Sequence, residues 1–154
     1  MDFSQFLQAI GAAGKLDVNS AVQAGGCTVR FDAQLEVVFE WQADAGRVQC
    51  FGTVLSLAAQ AESSRLPLYA AALQLHAFGA ATSGCFFALD AQADRLILFR
   101  TVELEALSNG AAETQVEALV NQLGVWQSRL AQVAQRLMQQ QQTMHPPMPM
   151  DFKA

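Results

Sequence analysis

The chain has 154 residues, of which 52% are apolar and only 15% are charged. This composition is typical of a folded protein with an unusually apolar surface, and it argues against intrinsic disorder. Fourteen acidic and nine basic side chains give a net charge of −5 without any cluster of Lys or Arg, which excludes the usual signature of a nucleic-acid-binding protein.

The first predicted element is an amphipathic helix at the start of the chain, which ends near Gly11 to Gly14. An apolar stripe of this kind usually packs into a core. Two Phe rings within the first six residues leave a second interpretation open, in which part of the stripe is a docking surface. The stripe has the helical spacing i, i+3, i+4, i+7 and consists of Phe3, Phe6, Leu7 and Ile10.

Three strands are predicted next, joined as an antiparallel meander. Cys27 to Asp32 and Leu35 to Trp41 both alternate apolar and polar side chains, with the period of two that a half-buried strand shows. Gln42 to Gly46 is a predicted turn, after which Arg47 to Leu55 returns as the third strand. Gly52 in that strand indicates a bulge or the close approach of another element.

A second helix is predicted from Leu66 to Phe78, with Ser63 or Ser64 as its N-cap and Pro67 in its first turn. Apolar residues surround most of this helix, so we expect it to be covered on two sides. In a domain of this size, such coverage indicates that a second copy of the protein packs against the helix. His76 has no acidic or Cys neighbour on its helix face, and we interpret it as a packing residue.

A β-hairpin is predicted between the second helix and the last one. The apolar runs Cys85 to Leu89 and Arg95 to Val102 are separated by a polar linker with Asp90 and Asp94 at its ends. The middle of the second run is apolar on both faces, so this strand is predicted to lie in the interior of the sheet.

A long amphipathic helix is predicted to close the fold. Thr114 and Glu117 form a capping box at its start, and one apolar stripe then repeats every three or four residues as far as Leu137. Residues 141–154 are predicted to be a disordered Gln/Met/Pro tail, because the prolines prevent helix formation and the composition shows no strand pattern. Residues 1–140 then form the folded domain.

The predicted order α-β-β-β-α-β-β-α gives an α+β domain with a five-stranded antiparallel sheet and three helices. The sequence contains no nucleophile elbow, zinc-protease motif or phosphate-binding glycine loop. Cys27, Cys50 and Cys85 are far apart and odd in number, which favours buried free thiols. We therefore expect no catalytic residue, no cofactor and no metal site.

The order of elements carries a family resemblance. The opening amphipathic helix, three successive strands, helix with an early Pro, Asp-bounded hairpin with the strand L-I-L-F-R and long closing helix resemble the class I type III secretion chaperones, the Tir chaperone family. The resemblance covers residues 1–140. It implies a small acidic homodimer without ATPase activity that holds the N-terminal segment of an effector protein in extended form, keeping it stable and competent for export.

The resemblance also implies partners and a location. We expect an effector N-terminal segment and a second copy of the chain as partners, with the secretion-system ATPase as a further candidate. Nucleic acid and a membrane span are not expected, since no apolar run approaches the ~20 residues that cross a bilayer. The start of the chain lacks the basic region of a signal peptide, so we expect the protein in the bacterial cytoplasm.

Two surfaces are predicted for these partners. The dimer interface is assigned to the second helix and the neighbouring hairpin strand, at Leu68, Ala72, Leu75 and Phe86. Within the effector site, we expect the two Phe side chains of the first helix and one side of the first strand to be accessible. The effector site is assigned to the first helix and the first two strands, at Phe3, Phe6, Leu7, Ile10, Val29, Phe31, Leu35, Val37 and Phe39.

A function of a different class is left open. The protein is alternatively a small-molecule-binding or sensory α+β module, in which apolar residues around Trp41, Phe51 and Phe87 line a pocket. A polypeptide that co-purifies with the protein favours the chaperone, whereas a co-purifying small molecule favours the sensory module.

Overall fold

One antiparallel sheet, packed on a single face by helices, organises this computed structural model, which describes residues 1–11, 17–32, 35–76, 79–108 and 110–144. The predicted α+β class is confirmed, with one helix more than predicted. In chain order the elements are α1 (Phe3–Gly11), α2 (Val18–Ala24), β1 (Gly26–Arg30), β2 (Glu36–Gln42), β3 (Arg47–Ser56), α3 (Glu62–Leu75), β4 (Phe86–Asp90), β5 (Arg95–Glu103) and α4 (Ala111–Met144).

The predicted helix α1 is confirmed, and its N-terminus is held in place. The Asp2 carboxylate accepts a hydrogen bond from the Gln5 backbone N–H at 2.8 Å, while the Gln5 side chain accepts one from the Asp2 N–H at 2.9 Å. This reciprocal pair satisfies two backbone donors that a helix start otherwise leaves unbonded. The Met1 amino group also donates to the Leu104 carbonyl at 3.4 Å, which ties the terminus to the end of β5.

Helix α2 is an element that the sequence analysis missed. Its N-cap is Asp17, whose carboxylate accepts a hydrogen bond from the Ser20 N–H at 3.2 Å, and it ends at Gly25 in a left-handed conformation with φ of 72°. The Ser20 hydroxyl also donates to Asp17 and lowers the pKa of that carboxyl. Only Ala21 of its seven residues is buried, so this helix has no apolar stripe for a sequence pattern to reveal.

The sheet has the strand order β1-β2-β3-β5-β4. The first three strands form the predicted meander, and the hairpin of β4 and β5 attaches to β3 through β5. The predicted interior position of β5 is therefore confirmed. Strands β1 and β4 lie at the two edges of the sheet.

The two faces of the sheet differ in what covers them. Helices α1 and α4 pack on one face, where the ring of Phe6 lies 5.9 Å from Phe39 and the ring of Phe87 lies 5.4 Å from Trp126. We call this the helix-covered face. On the other, open face, paired side chains form one row across all five strands, and all of them are partly or well exposed. The row consists of Thr28, Val38, Phe51, Phe99 and Phe86.

Helix α4 lies very close to the middle of the sheet, as Gly52 in β3 predicted. A Cβ atom at Gly52 would lie 2.6 Å from Leu123 Cδ1 and 2.8 Å from the Glu36 carbonyl oxygen. The predicted capping box is wrong, because α4 begins at Ala111 and Thr114 lies inside it, donating to the Gly110 carbonyl at 3.2 Å. The helix includes residues 141–144, which the sequence assigned to the tail, and residues 145–154 lie outside the described part of the chain.

Helix α3 begins one turn before its predicted start, with Ala61 as N-cap, so the predicted caps Ser63 and Ser64 are wrong. Its first turn is anchored by Arg65 instead. The guanidinium donates to both carboxylate oxygens of Asp94, at 2.8 and 3.0 Å, and to the Leu57 carbonyl at 3.1 Å. The sequence missed this because Asp94 is distant along the chain. The predicted end at Phe78 lies outside the described residues, and the helix ends at Leu75.

Candidate binding surfaces

The predicted effector-binding residues of α1 are mostly core. Phe6 and Leu7 are completely buried and Phe3 is 5% exposed. The Phe3 ring stacks on Trp41 with a centroid separation of 5.4 Å. The expectation that the two Phe side chains are accessible is wrong, because their stripe covers Phe39 and Trp41 on the helix-covered face. Only Ile10 of the predicted stripe remains partly exposed.

The predicted residues of the first two strands fall into two groups. Val37 and Phe39 are completely buried in β2, because this strand lies between β1 and β3 and is covered by helices. Val29 in β1 and Leu35, which precedes β2, are half-buried, and Phe31 is 39% exposed. The accessible part of the predicted site is therefore concentrated along β1 and the turn that follows it.

Strand β1 offers unpaired backbone groups in addition to these side chains. The Trp41 N–H donates to the Gly25 carbonyl at 2.8 Å, and the Phe31 N–H donates to the Leu35 carbonyl at 2.9 Å. Bonded and non-bonded pairs alternate along an antiparallel ladder, so the odd-numbered residues of β1 pair with β2. The backbone groups of Gly26, Thr28 and Arg30 consequently point away from the sheet. Among the described residues, no strand pairs with them.

The side chains along β1 differ in charge from one end to the other. Arg30 forms an ion pair with Glu36 of β2, with 2.5 Å between its Nη2 and the Glu36 Oε1. At the opposite end Gly26 has no side chain, and Glu40 faces it across the ladder. We call the outward backbone groups of β1, together with Val29 and Phe31, the β1 edge. Such an edge accepts an additional extended segment.

The predicted dimer residues divide between the core and the surface. Leu68 and Ala72 are 0% and 3% exposed, Leu75 is half-buried, and Phe86 is 39% exposed. Leu68 therefore cannot contact a second copy directly, because its side of α3 packs into the chain's own interior, and Ala72 is accessible only at the lining of a groove between α3 and β4. The sequence grouped these residues correctly on one side of the helix but could not tell which side faces outward.

Apolar side chains on the other side of α3 are exposed instead. Leu66 and Leu73 are 75% and 63% exposed, and Leu89 of β4 is 50% exposed. Their spacing of seven residues places Leu66 and Leu73 on one helix face, a signal present in the sequence. We call Leu66, Leu73 and Leu89 the α3–β4 patch, from which Phe86 is left out because it points to the open face of the sheet.

A groove runs beside this patch between α3 and β4. Its volume is about 230 Å³ and its lining is almost entirely apolar. Pockets that bind small molecules are usually larger, ~300–1,000 Å³, and contain a few polar groups that orient the ligand. The groove is therefore a poor site for a small molecule. It is lined by Tyr69, Ala72, Leu73, Phe87, Ala88, Leu89 and Leu96.

The pocket considered for a sensory module does not exist as predicted. Trp41 pairs with Val48 and Phe87 pairs with Leu98, and all four lie on the helix-covered face. Phe51 follows Cys50 in β3 and so points to the open face. The three side chains predicted to line one pocket therefore lie on both sides of the sheet.

Burial affects the ionisable thiols of the cysteines. Burial raises the pKa of the Cys50 thiol to about 12 and also raises the pKa of Cys85. All three cysteines are free, but the prediction that all are buried is wrong for Cys27, which is half-buried at the edge strand β1. The described residues contain no group of three His, Cys, Asp or Glu side chains that could hold a metal ion. In the same part of the chain, no helix is both long and apolar enough to cross a membrane.

Comparison with known proteins identifies the family of this fold. The model of the Tir chaperone protein (CesT) family matches residues 5–127. The chain belongs to the Tir chaperone family. The match begins within α1 and ends within α4, so the C-terminal part of α4 extends beyond the matched region of this Tir chaperone family member. A search of the curated proteins finds no match.

Solved structures share the fold of this Tir chaperone family member over most of their length. The ExsC-ExsE complex contains a chain with 19% identity and a TM-score of 0.64, covering 84% of this chain and 97% of that one. The HopA1-SchA chaperone-effector complex matches at 15% identity and a TM-score of 0.60, covering 82% and 93%. The ExoU-SpcU complex of the Pseudomonas aeruginosa type III secretion system also matches at 15% and 0.60, covering 86% and 97%.

Proposed function

We propose that this protein is a type III secretion chaperone of the bacterial cytoplasm that binds the N-terminal segment of an effector protein in extended form and keeps it competent for export. Family membership supports a chaperone. One similar structure is a chaperone-effector complex, and another comes from a type III secretion system. The observation that carries the proposal is the β1 edge, whose unpaired backbone groups fit an extended chain better than a folded surface.

In this proposal the effector segment binds as a sixth strand beside β1. Its backbone pairs with the outward groups of Gly26, Thr28 and Arg30, which demands little of its sequence. Alternate side chains of the segment then contact the half-buried Val29 and the exposed Phe31. Burying one large apolar side chain at this place stabilises the complex by ~1.5–3 kcal/mol. Backbone pairing thus allows many client sequences to bind, and the apolar contacts add to the affinity of the complex.

Proline at Thr28 tests this arrangement. The Thr28 N–H points away from β2, so Thr28→Pro removes a bond to the client and leaves the ladder to β2 intact, and edge strands tolerate proline. Thr28→Ala is the matched control because it keeps the N–H. We expect native mass spectrometry to show a co-purifying polypeptide with the wild type and Thr28→Ala, and little or none with Thr28→Pro.

Other results of that experiment count against the proposal. Equal retention of the polypeptide by Thr28→Pro would mean that the client binds elsewhere than the β1 edge. A small molecule in place of a polypeptide would favour the sensory module. Hydrogen exchange provides an independent check, since client binding should protect the amides of Thr28 and Arg30 far more than the amide of Val29, which already pairs with β2.

We further propose that the protein is a homodimer assembled through the α3–β4 patch. The three side chains of this patch are large, apolar and at least 50% exposed, and exposed apolar surface of this kind marks an interaction site. A two-fold axis would set the patch against its own copy, with the apolar groove beside it receiving a side chain of the second protomer. The secretion-system ATPase is a further proposed partner of the loaded chaperone.

A further inference from the structure

We infer that Glu40 makes the β1 edge selective for client segments with a basic residue opposite Gly26. The inference rests on the proposed addition of a client strand at this edge, and it names the chemistry of the partner. The unpaired backbone groups of β1 accept many sequences equally. A charged side chain within reach of the added strand is therefore what distinguishes one segment from another.

The gap at Gly26 is the first part of the argument. Gly26 and Glu40 are direct partners in the β1–β2 ladder, and their side-chain positions lie on the open face. Since Gly26 has no side chain, nothing on β1 stands between Glu40 and a strand added at the edge. A Cβ atom at Gly26 would collide with the Phe39 carbonyl oxygen. The gap is therefore built into the packing of the sheet.

The distance across this gap suits a long basic side chain. Adjacent strands lie ~4.8 Å apart, so the added strand lies about two such spacings from β2. Lys and Arg carry their charge at the end of a long flexible stem that can lie along the surface of the sheet. A basic residue opposite Gly26 can therefore extend over the glycine and place its charge at the Glu40 carboxylate.

Glu40 is available for this contact. It is exposed, and among the described residues its carboxylate has no ion pair or hydrogen bond. The rest of the strand offers no competing charge preference. Arg30 is already paired with Glu36, and Thr28 between the two ends is neutral. A single acidic group thus defines one position of the client strand.

Peptide selection tests the inference without knowledge of the natural client. A displayed library of random ten-residue linear peptides is selected on the wild type, Glu40→Lys, Glu103→Lys and Thr28→Pro. Glu103 is the matched control because it is also exposed but lies at the end of β5, three strands from β1. We expect Lys or Arg to be enriched at one peptide position on the wild type and Glu103→Lys, and Asp or Glu at the same position on Glu40→Lys.

Affinities of individual peptides give the magnitude. Replacing the selected basic residue by Gln should weaken binding to the wild type about two- to fivefold, the range of an exposed ion pair, and should leave binding to Glu40→Gln unchanged. Charge frequencies that are the same on the wild type and Glu40→Lys would overturn the inference and leave strand addition intact. Peptides that bind Thr28→Pro as well as the wild type, or a selection without binders, would overturn both.

Discussion

At the scale of single residues, Gly52 determines how closely α4 approaches the sheet. Leu123 of α4 packs directly against Gly52, and its Cδ1 atom lies 2.6 Å from the position that a Cβ atom of residue 52 would take. The absence of a side chain at Gly52 therefore allows the observed distance between α4 and the sheet. The second close atom is the Glu36 carbonyl oxygen in the ladder, which cannot rotate away as a side chain can. Any larger residue at this position must therefore move either α4 or β2.

We predict that Gly52→Ala lowers the free energy of unfolding by ~1–3 kcal/mol, the usual cost of overpacking a core. Gly124 in α4 provides the matched control. The nearest atom to its Cβ position is Leu35 Cδ1 at 3.8 Å, an ordinary contact, so Gly124→Ala should raise the free energy of unfolding by ~0.5–1 kcal/mol through helix propensity. Urea denaturation measures both, and a Gly52→Ala protein as stable as wild type would contradict the close approach.

At the scale of elements, the edge strand β1 contains a cysteine whose chemical reactivity can report on client binding. Its Cys27 is half-buried, whereas Cys50 and Cys85 are buried in the core. Thiols react as thiolates, and burial raises the pKa of all three, that of Cys50 to about 12. The two core thiols are therefore both inaccessible and protonated at neutral pH, and Cys27 is the thiol that solvent reagents reach.

We predict that a disulfide reagent at neutral pH labels one thiol of the native protein and three of the unfolded protein. Cys27→Ser should abolish the native reaction, while Cys85→Ser should leave it unchanged. Addition of a client segment should slow the labelling of Cys27, because the segment covers the strand on which this residue lies. Labelling that is unaffected by a bound client would place the client away from β1.

Most of the helices and strands could be predicted from local sequence patterns, without knowledge of their tertiary contacts. Helices α1 and α4 and the strands of the meander follow from the period of their apolar residues, the hairpin from two apolar runs around a polar linker, and α3 from Pro67 and its apolar surroundings, all of which are local properties of the chain. Helix α2 was not predicted, because it buries only Ala21 and so has no apolar stripe. The start of α3 was predicted wrongly, because its first turn is held by the pairing of Arg65 with Asp94. Asp94 belongs to a hairpin nearly thirty residues later, where a local pattern cannot reveal the contact.

At the scale of the whole molecule, the α3–β4 patch is the surface that we assign to a second copy. We predict that Leu73→Glu converts the dimer to a monomer at micromolar concentration, because a symmetric interface buries the charge twice. Leu73 is 63% exposed within one chain, so the variant should keep the circular dichroism spectrum of the wild type, while its unfolding midpoint should no longer depend on protein concentration.

Val125→Glu is the matched control for this prediction. Val125 is also an exposed apolar residue on a helix, 42% accessible, but it belongs to α4 and does not line the groove between α3 and β4. Light scattering should show a dimer for the wild type and for Val125→Glu. A wild-type protein with the mass of a monomer, or a Leu73→Glu protein with the mass of a dimer, would exclude the patch as the dimer interface.

The α+β class, the antiparallel meander, the interior position of β5 and the family resemblance could all be predicted from the chain alone, because each follows from local patterns of apolar residues and from the order of elements. Which apolar side chains remain accessible depends on how the elements pack in three dimensions. Phe6 and Phe31 have the same side chain, yet one is completely buried and the other is 39% exposed. Leu68 and Leu73 lie on one helix and differ from 0% to 63%. Periodicity places residues on a common face, but burial depends on which other element covers that face, and that is fixed only when distant parts of the chain pack together.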